Sequence, residues 1–245
     1  KKLHITGNQK CDQGTLSPLS APIIALKKQL QTRPSWIAGS THAGEEPHCL
    51  QAHRTLLSKE PNALLVLAVR HPERCHSVAK LCQQQGFKLQ YHSQKKALAT
   101  STQVYLIDTL GELNQLYEIV DVAFIGGSLV PKIGGHNMME AIARQTPILC
   151  GPYTSNFVSC TEPLLACQGM QLCRTSTELA QKIQTFWQHP YQAQQQMQRA
   201  CAWLQQEQGA VSRSINILAP YLNAAHQHHL NRNPSPQIHC IDVHH

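Results

Sequence analysis

Short unbroken apolar runs alternate along the chain with longer stretches whose apolar residues recur every three or four positions. Ser35-Trp36-Ile37-Ala38-Gly39, Ala63 to Val69, Gln103 to Ile107, Val120 to Ile125, Pro147 to Cys150 and Met170 to Cys173 are of the first kind. Continuous apolar runs of this length predict strands covered on both faces. Lys88 to His92 alternates and predicts another strand. Glu45 to Lys59 carries apolar residues at 49, 50, 52, 56 and 57, which lie on one helical face. Pro72 to Gln85 predicts a helix, with proline tolerated in its first turn and Gly86 as its stop. Gly111 to Ile119, Asn137 to Arg144, Phe157 to Cys167, Thr177 to Trp187, Tyr191 to Gln206 and Val211 to Leu222 complete the helical set. Strand and helix alternate throughout. The expected fold class is α/β, a Rossmann-like parallel sheet with helices on both faces.

Ligands of such sheets bind beyond the carboxyl ends of the strands, so the loops there are the places to look for chemistry. Gly126-Gly127-Ser128 is followed by Gly134-Gly135-His136-Asn137, which opens a helix. Glycines let the backbone approach a ligand closely, and free N–H groups at a helix start suit a phosphate. Glu140, in the first turn, either accepts from a ribose diol or only complements the helix dipole. Arg70 ends a buried strand and either forks onto a phosphate or sugar carboxylate or pairs with a carboxylate such as Glu73. Arg74, a turn further on, is expected in solvent. In Leu110-Gly111-Glu112, Gly111 exposes main-chain N–H groups, while Glu112 accepts from a base or sugar or caps its helix. His42 with Glu45 and Glu46 resembles an acid/base cluster, though glutamates also favour a helix N-terminus. His136 either assists a phosphate or carboxylate or is structural. GxGxxG, the P-loop pattern and the GxSxG elbow are all missing.

Composition narrows the field. With 245 residues, 42% apolar and 14% charged, the chain can bury a core. The net charge of +7 suits anionic partners, but the basic residues are scattered and aromatics are 5%, so nucleic acid is not an expected partner. No apolar run approaches the roughly 20 residues of a membrane span, and Lys1-Lys2-Leu3-His4 lacks a secretion signal's apolar core. Ten cysteines without a CxxC read as small buried hydrophobes in a reduced, cytosolic setting. Six histidines crowd the last 20 residues beside Asn233-Pro234-Ser235-Pro236, which predicts a flexible His-rich tail holding metal only adventitiously. No native metal site is expected.

Taken in order, these loops resemble the C-terminal half of the bacterial 3-deoxy-D-manno-octulosonic acid (Kdo) transferases, the lipid A glycosyltransferases. The resemblance is carried by Thr6-Gly7-Asn8, Ser40-Thr41-His42-Ala43-Gly44-Glu45-Glu46, Arg70-His71-Pro72-Glu73-Arg74 and Asp108-Thr109-Leu110-Gly111-Glu112-Leu113. It continues through Phe124-Ile125-Gly126-Gly127-Ser128-Leu129, Gly134-Gly135-His136-Asn137 with Glu140, and Gly151-Pro152 with Asn156-Phe157, and more weakly to Gln208-Gly209-Ala210. It implies the C-terminal domain of a GT-B enzyme that binds CMP-Kdo. Transfer inverts the anomeric centre and uses no metal or cofactor. The N-terminal domain, expected to lie outside this chain, binds the lipid A precursor at the anionic cytoplasmic face of the inner membrane and supplies a glutamate base.

The resemblance assigns CMP to Val69, Arg70, Leu110, Gly111, Glu112, Asn137, Met138, Met139 and Glu140. His42, His71, Ser128, Gly134, Gly135 and His136 are further candidates. Residues 1–20 are then a linker remnant, 21–222 the CMP-sugar-binding domain and 223–245 the tail; without its other half the chain is expected to be soluble and inactive. The chain departs from the pattern at Val69, where proline is usual, at Met138-Met139, where Pro-Leu is common, and at Lys132-Ile133, which replaces a more polar approach to the glycine pair. A GT-B transferase using a UDP-sugar, or a non-catalytic nucleotide-binding fragment, are the competing readings.

Overall fold

The computed structural model describes residues 3–232 apart from Gln13, Thr15 and Gln31, with side chains described to residue 222. The strands are β1 (Ser35–Thr41), β2 (Leu64–Val69), β3 (Leu89–Tyr91), β4 (Val104–Ile107), β5 (Val122–Ile125), β6 (Ile148–Cys150) and β7 (Gln171–Leu172). They form one sheet, all parallel, in the order β3-β4-β2-β1-β5-β6-β7. The helices are α1 (Ala21–Leu30), α2 (Glu45–Leu57), α3 (Cys75–Gln84), α4 (Leu113–Tyr117), α5 (Met139–Ala143), α6 (Val158–Ala166), α7 (Ser176–Gln188), α8 (Pro190–Glu207) and α9 (Ala210–Arg232).

The predicted strands are all present, and the reason they read as unbroken apolar runs is visible. Trp36, Ala38, Leu65, Leu67, Val104, Leu106, Val122 and Phe124 share one apolar cluster with Cys49, Leu50, Val78, Cys82, Leu179 and Ile183 of α2, α3 and α7. The alternate positions Ile37, Val66, Tyr105, Ala123 and Ile125 are buried too, on the other face. The nine described cysteines are free, most of them buried in this interior, where burial raises the thiols of Cys49, Cys82, Cys150 and Cys173.

Four differences from the sequence reading matter. Helix α1 was not predicted, although Ile23, Leu26 and Leu30 are buried at helical spacing. Proline at 72 opens a short 3-10 turn, Pro72–Arg74, rather than α3 itself. Helices α4 and α5 begin two residues later than expected, so both glycine loops are longer than they read. Helix α9 runs on to Arg232, into the span assigned to a flexible tail; residues 233–245 lie outside the described residues.

The contacts divide the chain into a unit of residues 13–206, which holds the sheet, and a second of residues 1–12 with 207–245. This differs from the expected domain of 21–222. In the second unit the Asp12 carboxylate accepts from the N–H groups of Gly209 and Val211, which lowers its pKa, and Arg213 donates to the Thr6 carbonyl at 2.9 Å. The outermost motif stretches, Thr6-Gly7-Asn8 and Gln208-Gly209-Ala210, are thereby partners.

In the sheet unit the chain order reverses between β1 and β5, which makes the crevice at their carboxyl ends the topological switch point. There β1 bulges between Gly39 and Thr41, and Ser40 takes a φ of 57°. A positive φ at a residue with a side chain is uncommon and clusters at functional sites.

Candidate functional site

A cleft of about 390 Å³ opens at this edge. Its walls come from the ends of β1 (Ser40), β2 (Ala68, Val69, Arg70) and β4 (Ile107), from the loop and helix after β4 (Thr109, Leu110, Gly111, Leu113, Tyr117), and from His136, Asn137, Glu140 and Phe157. The size and the mixture of apolar walls with a few polar groups suit a small-molecule site. Of the sequence candidates, Val69, Arg70, Leu110, Gly111, His136, Asn137 and Glu140 meet here.

Arg70 is exposed and its guanidinium has no hydrogen-bond or ion-pair partner among the described residues. The alternative pairing with Glu73 is therefore not made; Glu73 stands 3.7 Å from His71 instead. Gly111 has a φ of +89° and open space around it, so it is the conformation, not crowding, that calls for glycine. The Asn137 side chain accepts from the Met139 N–H at 3.1 Å and also hydrogen-bonds Glu140. Burial raises the Glu140 carboxyl, and the Asn137 bond opposes the rise.

The glycine-rich loop after β5 corrects the sequence reading. The N–H groups of Gly126, Gly127, Ser128, Leu129 and Gly135 are engaged within the protein and are not free for a phosphate. Gly127, Ser128 and Leu129 donate to the Glu45 carboxylate at 2.6, 2.9 and 2.8 Å, and His42 N–H donates to it at 2.9 Å. Glu45 is fully buried and serves as the loop's internal anion, not as an acid/base group. Ser128 is fully buried, its hydroxyl accepting from Gly151 N–H at 2.7 Å and donating to the Ile125 carbonyl. Gly134 and Gly135 are buried and close the loop on itself, Gly135 N–H donating to the Gly127 carbonyl at 2.7 Å.

Other candidates are likewise engaged elsewhere. Glu46 forms a bidentate pair with Arg74 at 2.9 and 3.0 Å, so Arg74 is not left to solvent. Glu112 faces away from the cleft, paired to His92 at 2.9 Å and accepting from the Thr109 hydroxyl. The side chains of Met138 and Met139 are fully buried, which leaves them only main-chain groups to offer.

Three histidines meet at the cleft's rim. His42 Nε2 lies 2.7 Å from His136 Nε2, and the exposed His71 ring meets His42 edge-on at 5.3 Å. Gly127 makes room: a Cβ there would come within 2.8 Å of His136 Cδ2. Burial, with His42, Arg70 and His71 nearby, depresses His136 to about 4. His42 is lowered as well, chiefly by burial. Among the described residues no group of His, Cys, Asp and Glu is arranged to hold a metal ion.

Sequence reasoning missed Tyr117, and it marked Ser40 and Phe157 only as members of strand-end or matching stretches, with no role of their own. Tyr117 is fully buried yet forms part of the cleft wall, and its hydroxyl fills the space a side chain on Gly39 would need. The bulge of β1 brings Ser40 there, the return of α4 over β1 brings Tyr117 and the turn before α6 brings Phe157, and none of these has a sequence signature.

The sheet, its order and the cleft at its carboxyl edge define the chain as the C-terminal domain of a GT-B glycosyltransferase. The chain belongs to the Kdo transferase family. It is 39% identical over 224 residues to the 3-deoxy-D-manno-octulosonic acid transferase of Haemophilus influenzae, a match covering 91% of this chain and 52% of that protein. It is 33% identical over 167 residues to a probable mitochondrial Kdo transferase of Arabidopsis thaliana, covering 68% and 37% respectively. The chain spans about half the length of the curated relatives it matches.

Among solved structures, the C-terminal CMP-Kdo binding domain of WaaA from Acinetobacter baumannii superposes with a TM-score of 0.71 at 28% identity, over 75% of this chain and 98% of that one. Anabaena HepE in complex with UDP-glucose shares the fold at a TM-score of 0.59 and 16% identity, over 84% of this chain and 54% of that one. No protein-family model matches the chain. Among the described residues no helix is long and apolar enough to cross a membrane.

Proposed function

We propose that this chain is the donor-binding half of a Kdo transferase, holding CMP-Kdo while the sugar passes, with inversion, to a lipid A precursor at the cytoplasmic face of the inner membrane. The observation that carries the reading is the unpartnered guanidinium of Arg70, set in the wall of a cleft that Glu140 also lines. Arg70 offsets the charge of the donor's phosphate or carboxylate. Glu140, held by Asn137, accepts from the ribose diol. The exposed Leu110-Gly111 main chain supplies hydrogen bonds to the nucleotide, with Val69, Ile107 and Leu113 as apolar walls. Inverting transfer needs a base beside the acceptor hydroxyl. We assign that base and the acceptor site to the half of the relatives' length that this chain does not match. The transfer is read as needing no metal.

The test is calorimetric titration of the chain with CMP and with UMP. Binding of CMP with no measurable binding of UMP is the expected result. Equal binding would replace the donor with a uridine nucleotide, and binding of neither would overturn donor recognition by this chain.

A further inference from the structure

One group in the cleft has no part in the roles above. The two Nε2 atoms of His42 and His136 lie 2.7 Å apart with nearly parallel ring planes, 10° between them. At that separation one proton must stand between the nitrogens, since two would collide and none would leave two lone pairs opposed. The uncharged pair thus holds its bridging proton and one other, on Nδ1 of the ring that accepts the bridge. A single further proton fits, on Nδ1 of the ring that donates. The pair is a device with a capacity of one.

Its setting makes that proton conditional. Arg70, Arg74 and His71 face the pair and oppose protonation, and Glu45 favours it. Glu45, however, already accepts four N–H groups, and Arg74 is neutralised by Glu46. Glu73 is largely solvated beside His71, and Glu140 with Tyr117 completes the cleft wall. What remains on the cleft side is a positive Arg70, a neutral pair and a surplus of positive field, a setting that favours an anion. His136 itself lines the cleft next to Asn137, with Nε2 committed to His42 and Nδ1 left over.

Resting on the donor reading above, we infer that His42 and His136 act as one proton-sharing pair that, with Arg70, binds an oxyanion of the donor and takes up one proton as it does so. The proton comes from solvent and ends on Nδ1 of the bridge-donating ring, which then donates to the anion. Without an anion, burial and the neighbouring cations keep the pair uncharged, His136 at about 4. A bound phosphodiester or carboxylate supplies a countercharge that favours the added proton.

The test is calorimetry of the 245-residue chain near pH 7 in two buffers of different ionisation enthalpy, which counts protons taken up. The probes are cytidine, the methyl phosphodiester of CMP, whose one charge does not titrate near neutrality, and CMP-Kdo. The expected result is no uptake with cytidine and about one proton with an anionic probe, whose affinity climbs by up to about tenfold per unit of falling pH between about 8 and 6. Uptake with the methyl diester assigns the phosphate to the pair, and uptake with CMP-Kdo alone assigns the sugar carboxylate.

His136→Gln and His42→Gln, which approach the pair from separate loops, should each abolish the uptake and flatten the pH profile. Anionic probes that bind without proton uptake would sink the pair's role and leave the donor reading standing, as would uptake that survives in both variants with intact folds. Binding of no probe would overturn both.

Discussion

Two glycine-bearing loops stand at the carboxyl edge of the sheet and use their main chains in opposite ways. The loop after β5 turns its N–H groups inward onto Glu45 and is finished by Ser128 and by Gly134-Gly135 folding back on it. The loop after β4 leaves Gly111 exposed in the cleft wall with open space about it. The arginines after β2 repeat the contrast. Arg74 is spent on Glu46, while Arg70, four positions earlier, is free for a ligand. A glycine loop or a strand-end arginine marks a ligand site only when no internal counter-group reaches it first. Here Glu45 and Glu46, adjacent in sequence at the start of α2, decide which loop and which arginine remain open.

The sharpest way to break the closed loop is to remove its anion. Glu45→Ala strands four N–H groups in a buried place, each worth about 1–3 kcal/mol when unsatisfied, though water entering the hole recovers part. A loss of about 4 kcal/mol or more is expected in denaturant unfolding. A loss below about 1 kcal/mol would mean the loop holds its shape without the carboxylate.

Arg74→Ala comes next. It leaves the Glu46 carboxylate, only 2% exposed, without its partner. Breaking a buried pair from one side costs about 3–5 kcal/mol, and the same unfolding measurement reads it. If Arg74 belonged to the ligand instead, stability would hold and nucleotide affinity would fall.

A more gradual effect comes from acid. His53 accepts from Trp36 Nε1 at 3.2 Å through Nδ1 and donates to the Gln103 carbonyl at 2.8 Å through Nε2. Burial depresses it to about 3. An unfolded histidine titrates near 6.5, so its stabilising contribution is complete above that pH and is lost as pH falls toward the folded value. The expected slope is about 1.4 kcal/mol per pH unit for His53, with His136 adding to it down to about pH 4. His53→Gln, which can make both hydrogen bonds without titrating, should remove its share; an unchanged slope would place the acid sensitivity elsewhere.

These contrasts also show what was legible beforehand. Six of the seven strands announced themselves as unbroken apolar runs such as Leu64–Val69, because both faces of the sheet are covered, while β3 at the sheet's edge showed by alternation. The switch-point rule then pointed to the loops after β1, β2, β4 and β5, which supply most of the cleft wall. What could not be read was the partner choice within them. Nothing local distinguishes Glu112, drawn off by His92, from Glu140, left in the cleft, because His92 arrives from β3 some twenty residues earlier in sequence. The two methionines at 138 and 139 read as site residues by position, yet their side chains fill the interior. Helix α1 was overlooked although Ile23, Leu26 and Leu30 carried its period.

The comparison is sharpened most by the free arginine. Arg70→Ala should leave unfolding unchanged within about 0.5 kcal/mol, because no internal group depends on it. It should weaken CMP by about 1.5–3 kcal/mol, a factor of roughly 10 to 150, if it makes a charge-assisted contact. Read beside Arg74→Ala, this is a double dissociation: one arginine moves stability, the other affinity. Any other pairing of outcomes would undo the division between closed and open sides of the edge.

Glu140→Gln is the mildest change, since it keeps size and one acceptor oxygen. Its carboxyl is raised by burial, so losing the charge relieves some desolvation and should leave the fold intact or slightly steadier. Nucleotide binding should fall by about 1 kcal/mol, because a neutral amide accepts from a ribose diol less strongly than a carboxylate. Inorganic phosphate, which lacks the ribose, should bind the variant as well as the parent chain. Equal weakening of CMP and phosphate would mean that Glu140 shapes the cleft rather than touching the sugar.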